Sequence, residues 1–142
     1  MTETDRELAT VLGALHLEMS AIYAEVSRAF ELTAQQVELL CQLNGASPSL
    51  GELARALGCD KSNITGMADR LARRGLVRRE ADPYDRRISR LTRTEQGEAL
   101  GEAMEAAIAQ RVGERCVGLS AADRQQLIAL SRRALAALGK IR

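Results

Sequence analysis

The chain has 142 residues, of which 46% are hydrophobic and 27% charged, a size and composition typical of one globular domain. No apolar run approaches the roughly 20 residues of a membrane-spanning helix, and no signal-peptide core follows the acidic N-terminus, so we expect a cytoplasmic protein. Three scattered cysteines, no CxxC and one histidine predict neither a disulfide framework nor a zinc site, and no cofactor is indicated.

The first predicted element is a long amphipathic helix over residues 4–30. Thr4 and Glu7 have the spacing of a capping box in front of it. At about 26 residues it is longer than most globular helices, so we expect its apolar stripe to reach a partner surface. The stripe has steps of three and four and comprises Leu8, Val11, Leu12, Leu15, Met19, Ile22, Tyr23, Val26 and Phe30.

Three shorter helices follow in close succession. Capping boxes start the first two, Thr33 with Gln36 and Ser49 with Glu52. The second of these helices ends at Gly58, a residue suited to a left-handed C-cap. After one intervening residue, a third helix is predicted from the N-cap Asp60 to Arg74, closed by Gly75. Two helices joined by a tight turn are therefore predicted before residue 75.

The pattern then changes to that of a β-hairpin. Residues 76–79 and 88–91 predict two short strands, and the loop between them has the Asp-Pro pair of a type I turn at residues 82–85. Thr92 with Glu95 and Ser120 with Asp123 then predict the starts of two more helices. The apolar rows of these helices are Leu100, Met104, Ile108 and Val112, and Leu127, Leu130, Ala134, Leu138 and Ile141.

The net charge of +1 conceals a separation along the chain. Residues 1–49 carry a net charge of −5, residues 50–93 carry +5, and residues 94–142 carry +1. A basic helix-turn-helix followed by a basic hairpin predicts a winged helix, whose second helix enters the major groove of DNA. The alternative is a solvated basic face without a partner. The dense basic set is Arg70, Arg73, Arg74, Arg78, Arg79, Arg86, Arg87, Arg90 and Arg93.

Several short stretches together resemble the MarR family of winged-helix transcriptional regulators, over Leu32 to about Leu100. They are LTAQQ at 32–36, LARALG at 53–58, DKSNITGMADRL at 60–71, RGLV at 74–77, DPYDRR at 82–87, Leu91-Thr92 and Gly97. The resemblance implies a mainly α fold (α+β), a winged helix-turn-helix with a small β-hairpin wing and long terminal dimerisation helices.

By resemblance, the protein is a homodimeric regulator, expected to be a repressor, of pseudo-palindromic operators in double-stranded DNA. Members of the family often lose DNA binding when they sense a small phenolic molecule or an oxidant. We therefore expect one domain over residues 1–142 at the nucleoid, with residues 32–93 for DNA binding and residues 4–30 and 94–142 for dimerisation. No membrane partner is expected.

The start of the second helix of the pair supplies the first candidate DNA contacts. Lys61, Ser62, Asn63 and Thr65 lie where a helix N-terminus offers side chains to base edges and N–H groups to phosphate. Their alternative role is ordinary capping of a helix start. Gly66 lies where the family frequently has a larger residue, which suggests a close backbone approach or a different base preference.

Arginines late in that helix and in the hairpin complete the candidate interface. Arg70, Arg73 and Arg74 are expected at phosphates, with a solvated side chain as the alternative for Arg73. Asp85, Arg86 and Arg87 match the Asp-x-Arg motif of the family. By resemblance, Arg87 enters the minor groove and Asp85 orients it, which agrees with the attraction of arginine to narrow A/T-rich grooves. Arg86 is then expected at a phosphate.

Two regulatory hypotheses remain open. A phenolic or aromatic effector would bind near His16, Met19 and Tyr23 of the first helix, with plain core or dimer packing as the alternative. A redox response would use Cys59, because a helix N-terminus lowers a thiol pKa. The alternative for Cys59 is an inert small apolar residue.

Other classes of function fit the sequence less well. One histidine and scattered carboxylates match no nucleophile, base and orienting group, so an enzyme is not expected. The remaining alternative is a winged helix used only for protein contacts. Such a protein would not retain double-stranded DNA in a salt-dependent manner.

Overall fold

A computed structural model describes residues 1–139, and the predicted stripe residue Ile141 lies outside them. The described chain is mainly helical with one two-stranded antiparallel sheet, which confirms the predicted fold class. None of its helices is long and apolar enough to cross a membrane. The elements are α1 (Glu3–Ala29), α2 (Ala34–Gln42), α3 (Leu50–Leu57), α4 (Lys61–Arg73), β1 (Val77–Ala81), β2 (Ser89–Arg93), α5 (Glu95–Arg115) and α6 (Ala121–Gly139).

The described chain forms two compact units, one over residues 1–109 and one that begins at residue 110. The first holds the hydrophobic core, to which α1, α2, α3, α4, the hairpin and α5 contribute. The apolar face of α4 lies in that core, as its spacing predicts, through Ile64, Met67, Ala68 and Leu71. In the second unit, the predicted box of Ser120 and Asp123 opens α6, none of whose described residues is buried.

Local capping accounts for the helix-turn-helix. The predicted boxes at Thr33 and Ser49 are confirmed, because each hydroxyl accepts an N–H and receives the reciprocal side-chain bond. Gly58 ends α3 with φ of 62°, the left-handed conformation that glycine adopts at no steric cost. Asp60 lies at the N-cap of α4, yet among the described residues its side chain makes no capping hydrogen bond.

The predicted start of α1 at Thr4 is wrong. Thr2 caps the helix, accepting the N–H of Asp5 at 3.1 Å, and the Asp5 carboxylate accepts the N–H of Thr2 at 2.7 Å. Both threonines are followed three residues later by an acid, so the sequence fits two registers. The earlier register adds helical residues, and Thr4 lies inside α1.

The predicted start of α5 at Thr92 is also wrong. The second strand continues to Arg93, so Thr92 pairs with Arg78 inside the sheet. Thr94 is the residue that caps α5, because its hydroxyl accepts the N–H of Gly97 at 3.0 Å. Both strands therefore end later than their patterns predict.

The hairpin, which we call the wing, is held to the core at its base. A Cβ on Gly97 would lie 1.8 Å from the carbonyl oxygen of Leu76, so α5 can approach the start of the wing only with glycine there. The N–H of Leu91 donates to the carbonyl of Pro48 at 2.9 Å, and Leu91 is fully buried. The wing thus leaves the core in a fixed direction beside α3.

Candidate nucleic-acid interface

The first turn of α4 presents polar groups to solvent. Lys61, Ser62 and Asn63 are exposed, whereas Thr65 is half-buried. Because Asp60 does not cap the helix through its side chain, the N–H groups of this first turn remain available to an anion. This helix start therefore combines N–H donors with the exposed polar side chains of Lys61, Ser62 and Asn63.

Gly66 is half-buried in α4 and is not required by the fold. A Cβ built there would meet only a guanidinium nitrogen of Arg70, at an ordinary 3.7 Å. Glycine inside a helix costs about 1 kcal/mol relative to alanine. The fold therefore gives no reason for a glycine at position 66. The predicted reasons, a close approach of the α4 backbone to DNA or a different base preference, remain hypotheses.

Arg87 stands at the tip of the wing with its side chain 91% exposed. The Asp85 carboxylate accepts from Nε of Arg87 at 3.1 Å and from its terminal nitrogen at 3.0 Å. These bonds, with one from the backbone N–H of Arg87, lower the pKa of Asp85 below its ordinary value. The Asp85 carboxylate therefore holds the Arg87 guanidinium in one orientation while it faces solvent. The neighbouring Arg86 is also exposed.

Two successive turns form the tip of the wing, where residues 82–85 are predicted to form a type I turn. The hydrogen-bonded β-turn spans residues 85–88, where the N–H of Ile88 donates to the carbonyl of Asp85 at 3.0 Å. The buried side chain of Asp82 organises the preceding residues, because its Oδ1 accepts the N–H of Tyr84 at 2.8 Å and that of Asp85 at 3.0 Å. The side chain of Asp82 therefore orders the residues in front of the second turn.

Arg90 ties the wing to α3. Its Nε donates to Asp82, and its terminal nitrogen donates to the carbonyl of Ser47 at 3.0 Å and lies 3.6 Å from Glu52. The Arg90 side chain is the largest cause of the lowered pKa of Asp82, followed by the N–H groups of Tyr84 and Asp85. Arg90 therefore positions the wing, a role that its place in the basic set did not predict.

A cleft of about 550 Å³ separates the wing from the helix-turn-helix. Lys61 of α4 and Arg87 of the wing both line it, and Arg55, Arg90 and the start of α3 complete its wall. Glu52 is the single acidic side chain in this lining. The structure thus brings two separately predicted DNA contacts to the same basic cleft.

The arginines late in α4 differ in their surroundings. Arg70, Arg73 and Arg74 are all exposed, and Arg74 donates to the carbonyl of Glu31 at 3.0 Å. Arg79 of the wing is paired with Asp69 of α4 at 2.6 Å. That pair cancels part of the basic charge on this side of the helix.

Arg93 does not belong to the exposed basic set, which corrects the sequence analysis. Its side chain is 1% exposed and donates to the carbonyl of Leu40, to Glu98 at 3.2 Å and to Glu105. A Cβ on Gly101 would lie 2.4 Å from the guanidinium. Glu98, Gly101 and Glu105 share one face of α5, so two carboxylates flank a glycine there. This spacing, after an arginine at the end of a strand, was the sequence signal for a buried ion pair.

The proposed effector residues lie along α1. His16 is exposed, and Met19 and Tyr23 are half-buried. Burial raises the pKa of Tyr23, and neighbouring Cys41 and Glu38 raise it further. The phenol is also hydrogen-bonded to the side chain of Cys41.

Cys59 lies in the turn between α3 and α4. Its side chain is half-buried and packs against the hydrophobic core, and its N–H donates to the carbonyl of Ala54 at 3.0 Å. This packing agrees with the apolar alternative for Cys59. The redox hypothesis stays a prediction.

Comparison with known proteins gives one consistent result. Residues 32–89 match the sequence profile of the MarR family. The chain is 32% identical over 133 residues to the HTH-type transcriptional repressor NicR of Pseudomonas putida, covering 92% of this chain and 84% of the relative.

Two solved structures are similar over nearly their full length. Apo MarR from E. coli has a TM-score of 0.76 and 26% identity, covering 90% of this chain and 96% of that chain. A mutant of that MarR has been solved with operator DNA. BpsR of Bordetella bronchiseptica, whose DNA binding is regulated by 6-hydroxynicotinic acid, has a TM-score of 0.69 and 30% identity, covering 89% and 91%. The chain belongs to the MarR family of transcriptional regulators.

Proposed function

We propose that the protein is a repressor that binds double-stranded DNA as a homodimer and acts at a pseudo-palindromic operator. The observation that carries the proposal is the cleft that Lys61 of α4 and Arg87 of the wing both line. A helix lying in the major groove and a hairpin reaching the next minor groove would place a phosphate backbone between them. The basic lining of the cleft suits that backbone.

The residues divide into positioning and sequence-dependent contacts. We assign Ser62, Asn63 and Thr65 to base edges, with Gly66 allowing the backbone to approach closely. Arg87 is assigned to the minor groove, oriented by Asp85. Phosphate contacts are assigned to Lys61, Arg70, Arg73, Arg74 and Arg86.

The homodimer is proposed from apolar surface that the single chain leaves uncovered. In α1, Leu8, Val11 and Leu15 are 56%, 49% and 45% exposed. In α6, Leu127, Leu130, Leu135 and Leu138 are also exposed. We therefore assign residues 4–30 and 94–142 to dimerisation and residues 32–93 to DNA binding.

A matched pair of variants on α1 tests the dimer. Leu12 lies on the apolar row and Leu17 lies away from it, and both are exposed. Leu12→Glu is expected to yield monomers in analytical ultracentrifugation, because it places a charge in the interface. Leu17→Glu is expected to stay dimeric. Monomeric wild-type protein at micromolar concentration would contradict the homodimer.

We further propose that a small aromatic effector releases the DNA. The support is the regulation of BpsR by 6-hydroxynicotinic acid, together with the position of the half-buried Tyr23 and Met19 and the exposed His16 along α1. Titration of the protein–DNA complex with 6-hydroxynicotinic acid and with salicylate tests this. Tyr23→Phe should weaken the response and leave DNA binding intact, whereas a complex indifferent to both acids would remove the basis for an aromatic effector.

One comparison distinguishes redox regulation through Cys59 from regulation by an aromatic effector. DNA binding is measured after peroxide treatment for the wild type and for Cys59→Ser. Loss of binding in the wild type alone would favour the redox regulator. Equal behaviour of the two proteins would favour the structural role of Cys59.

Selection of bound genomic fragments, followed by sequencing, tests the proposed function itself. The expected result is enrichment of sites with two half-sites about one helical turn apart, since two wings and two α4 helices read them together. Such a regulator acts in the cytoplasm at the nucleoid. Failure to retain any double-stranded DNA would favour a winged helix that contacts proteins.

A further inference from the structure

Tyr84, at the wing tip, has a side chain that the folded core does not use. It is 97% exposed, whereas the other two aromatic residues, Tyr23 and Phe30, pack against the core. A single exposed aromatic residue is common in proteins and carries no meaning alone. What distinguishes Tyr84 is the order of the backbone that presents it.

The backbone on both sides of Tyr84 is fixed. The buried carboxylate of Asp82 accepts the N–H groups of Tyr84 and Asp85, and Arg90 holds that carboxylate from below. Pro83, immediately before Tyr84, has its φ angle locked by its ring. Only the two side-chain torsions of Tyr84 are left to be ordered, so binding through this ring costs little conformational entropy.

The neighbours of Tyr84 define the chemistry of its partner. Arg86 and Arg87 expose guanidinium groups on the same loop, and since Asp85 is paired with Arg87, the three side chains together carry one net positive charge. A surface that combines an apolar ring with cations fits a partner that is anionic and also has an apolar wall. The minor groove of DNA has both, because deoxyribose rings form its walls and phosphates its rims.

We propose that Tyr84 is a DNA contact whose ring packs on the sugar wall of the minor groove beside the site of Arg87. This inference rests on the proposed function and adds an uncharged, sequence-independent contribution to it. The phenol hydroxyl is not needed for the contact. The ring supplies the binding through its apolar faces, and Arg87 supplies the electrostatic attraction.

The salt dependence of DNA binding separates these two contributions. Binding of a labelled operator fragment is measured by fluorescence anisotropy across a salt series for the wild type, Tyr84→Ala, Tyr84→Phe and Arg87→Ala. Tyr84→Ala should bind about tenfold more weakly with an unchanged salt slope, because an apolar contact releases no counterions. Arg87→Ala should flatten the slope by about 0.9 for each bound wing. Tyr84→Phe should bind within about twofold of the wild type, since it keeps the apolar ring.

The intrinsic fluorescence gives an independent readout. The chain has two tyrosines and no tryptophan, so the difference between wild type and Tyr84→Phe isolates the emission of Tyr84. That emission should change on DNA binding. Wild-type affinity in Tyr84→Ala, or an affinity loss with a flattened slope, would overturn the inference while the proposed function stands. A wild-type protein that retains no DNA would overturn both.

Discussion

Arg87 and Arg93 belong to one hairpin, yet they occupy opposite environments. Arg87 is 91% exposed and its one carboxylate partner, Asp85, lies in the same loop. Arg93 is 1% exposed and joins β2 to α2 and α5 through Leu40, Glu98 and Glu105. The arginine at the tip of the wing is therefore accessible to a partner, whereas the arginine at the base stabilises the fold through buried contacts.

Substitution of Arg93 should have the largest effect on stability. Arg93→Met keeps the length of the side chain but removes the guanidinium that donates to the carbonyl of Leu40 and to Glu105, which keeps only the Asn44 amide at 3.1 Å as a side-chain donor. Breaking a buried ion pair in this way costs about 3 to 5 kcal/mol of the free energy of unfolding. Urea denaturation followed by circular dichroism measures it.

A matched variant at the exposed part of the wing controls for the loss of an arginine. Arg78 forms an ion pair with Glu80, and the two side chains are 58% and 50% exposed. Arg78→Met should change the free energy of unfolding by about 1 kcal/mol or less. Equal losses in the two variants would contradict the distinction between the buried and the exposed arginines of the wing.

Substitution of Arg87 should show the reverse pattern. Arg87→Ala is expected to weaken operator binding by about 1 to 3 kcal/mol, because a cation is lost from the minor groove. Its free energy of unfolding should stay at the wild-type value, since the side chain faces solvent. Anisotropy titration and urea denaturation of one preparation give both quantities, and unchanged operator affinity in an intact dimer would remove Arg87 from the site.

Two glycines of α5 probe the base of the wing with the same substitution. Gly101→Ala would push a Cβ against the Arg93 guanidinium and should destabilise the protein by about 1 to 3 kcal/mol. Gly113→Ala meets nothing within 4 Å and should stabilise it by about 1 kcal/mol through helix propensity. Changes of the same sign in thermal denaturation would show that Arg93 does not need the space above Gly101.

The smallest expected effect is a loosening of the wing tip in acid. The pKa of Asp82 is lowered in the folded protein, so its contribution is present above its unfolded pKa of about 4 and is lost as pH falls through the folded value. The protection factors of the Tyr84 and Asp85 amides, which compare the observed exchange rate with the intrinsic rate at the same pH, should therefore fall below about pH 4. Asp82→Asn should show the faster exchange already at neutral pH, and identical protection in both proteins would contradict the anchoring role of Asp82.

The sequence predicted what local chemistry decides. The capping boxes at Thr33 and Ser49 and the left-handed turn at Gly58 depend on residues within four positions, and all three are confirmed. The prediction of the start of α1 was wrong for a local reason, since Thr2 and Thr4 both fit the capping-box pattern. The predicted strand ends were wrong because pairing across the hairpin extends β2 to Arg93. That pairing depends on the opposite strand and is not visible in the sequence of β2 alone.

Charge counting succeeded for the module and failed for individual residues. The basic segment coincides with the winged helix, but burial of Arg93 depends on packing against α2 and α5, and Arg90 is held by Asp82 and Glu52. Those contacts join residues that only the folded chain brings together. For Arg87 and Asp85, two residues apart, the family resemblance was enough to predict the ion pair.

The salt dependence of operator binding tests the central claim, that the wing tip and the start of α4 bind DNA, most directly. The logarithm of the association constant should fall linearly with the logarithm of salt concentration, by about 0.9 for each phosphate neutralised. In Arg87→Ala the slope should be flatter, and in Arg78→Met the fold should remain as stable as the wild type. A wild-type protein whose retention of double-stranded DNA does not depend on salt, or an Arg87→Ala slope equal to that of the wild type, would contradict the account.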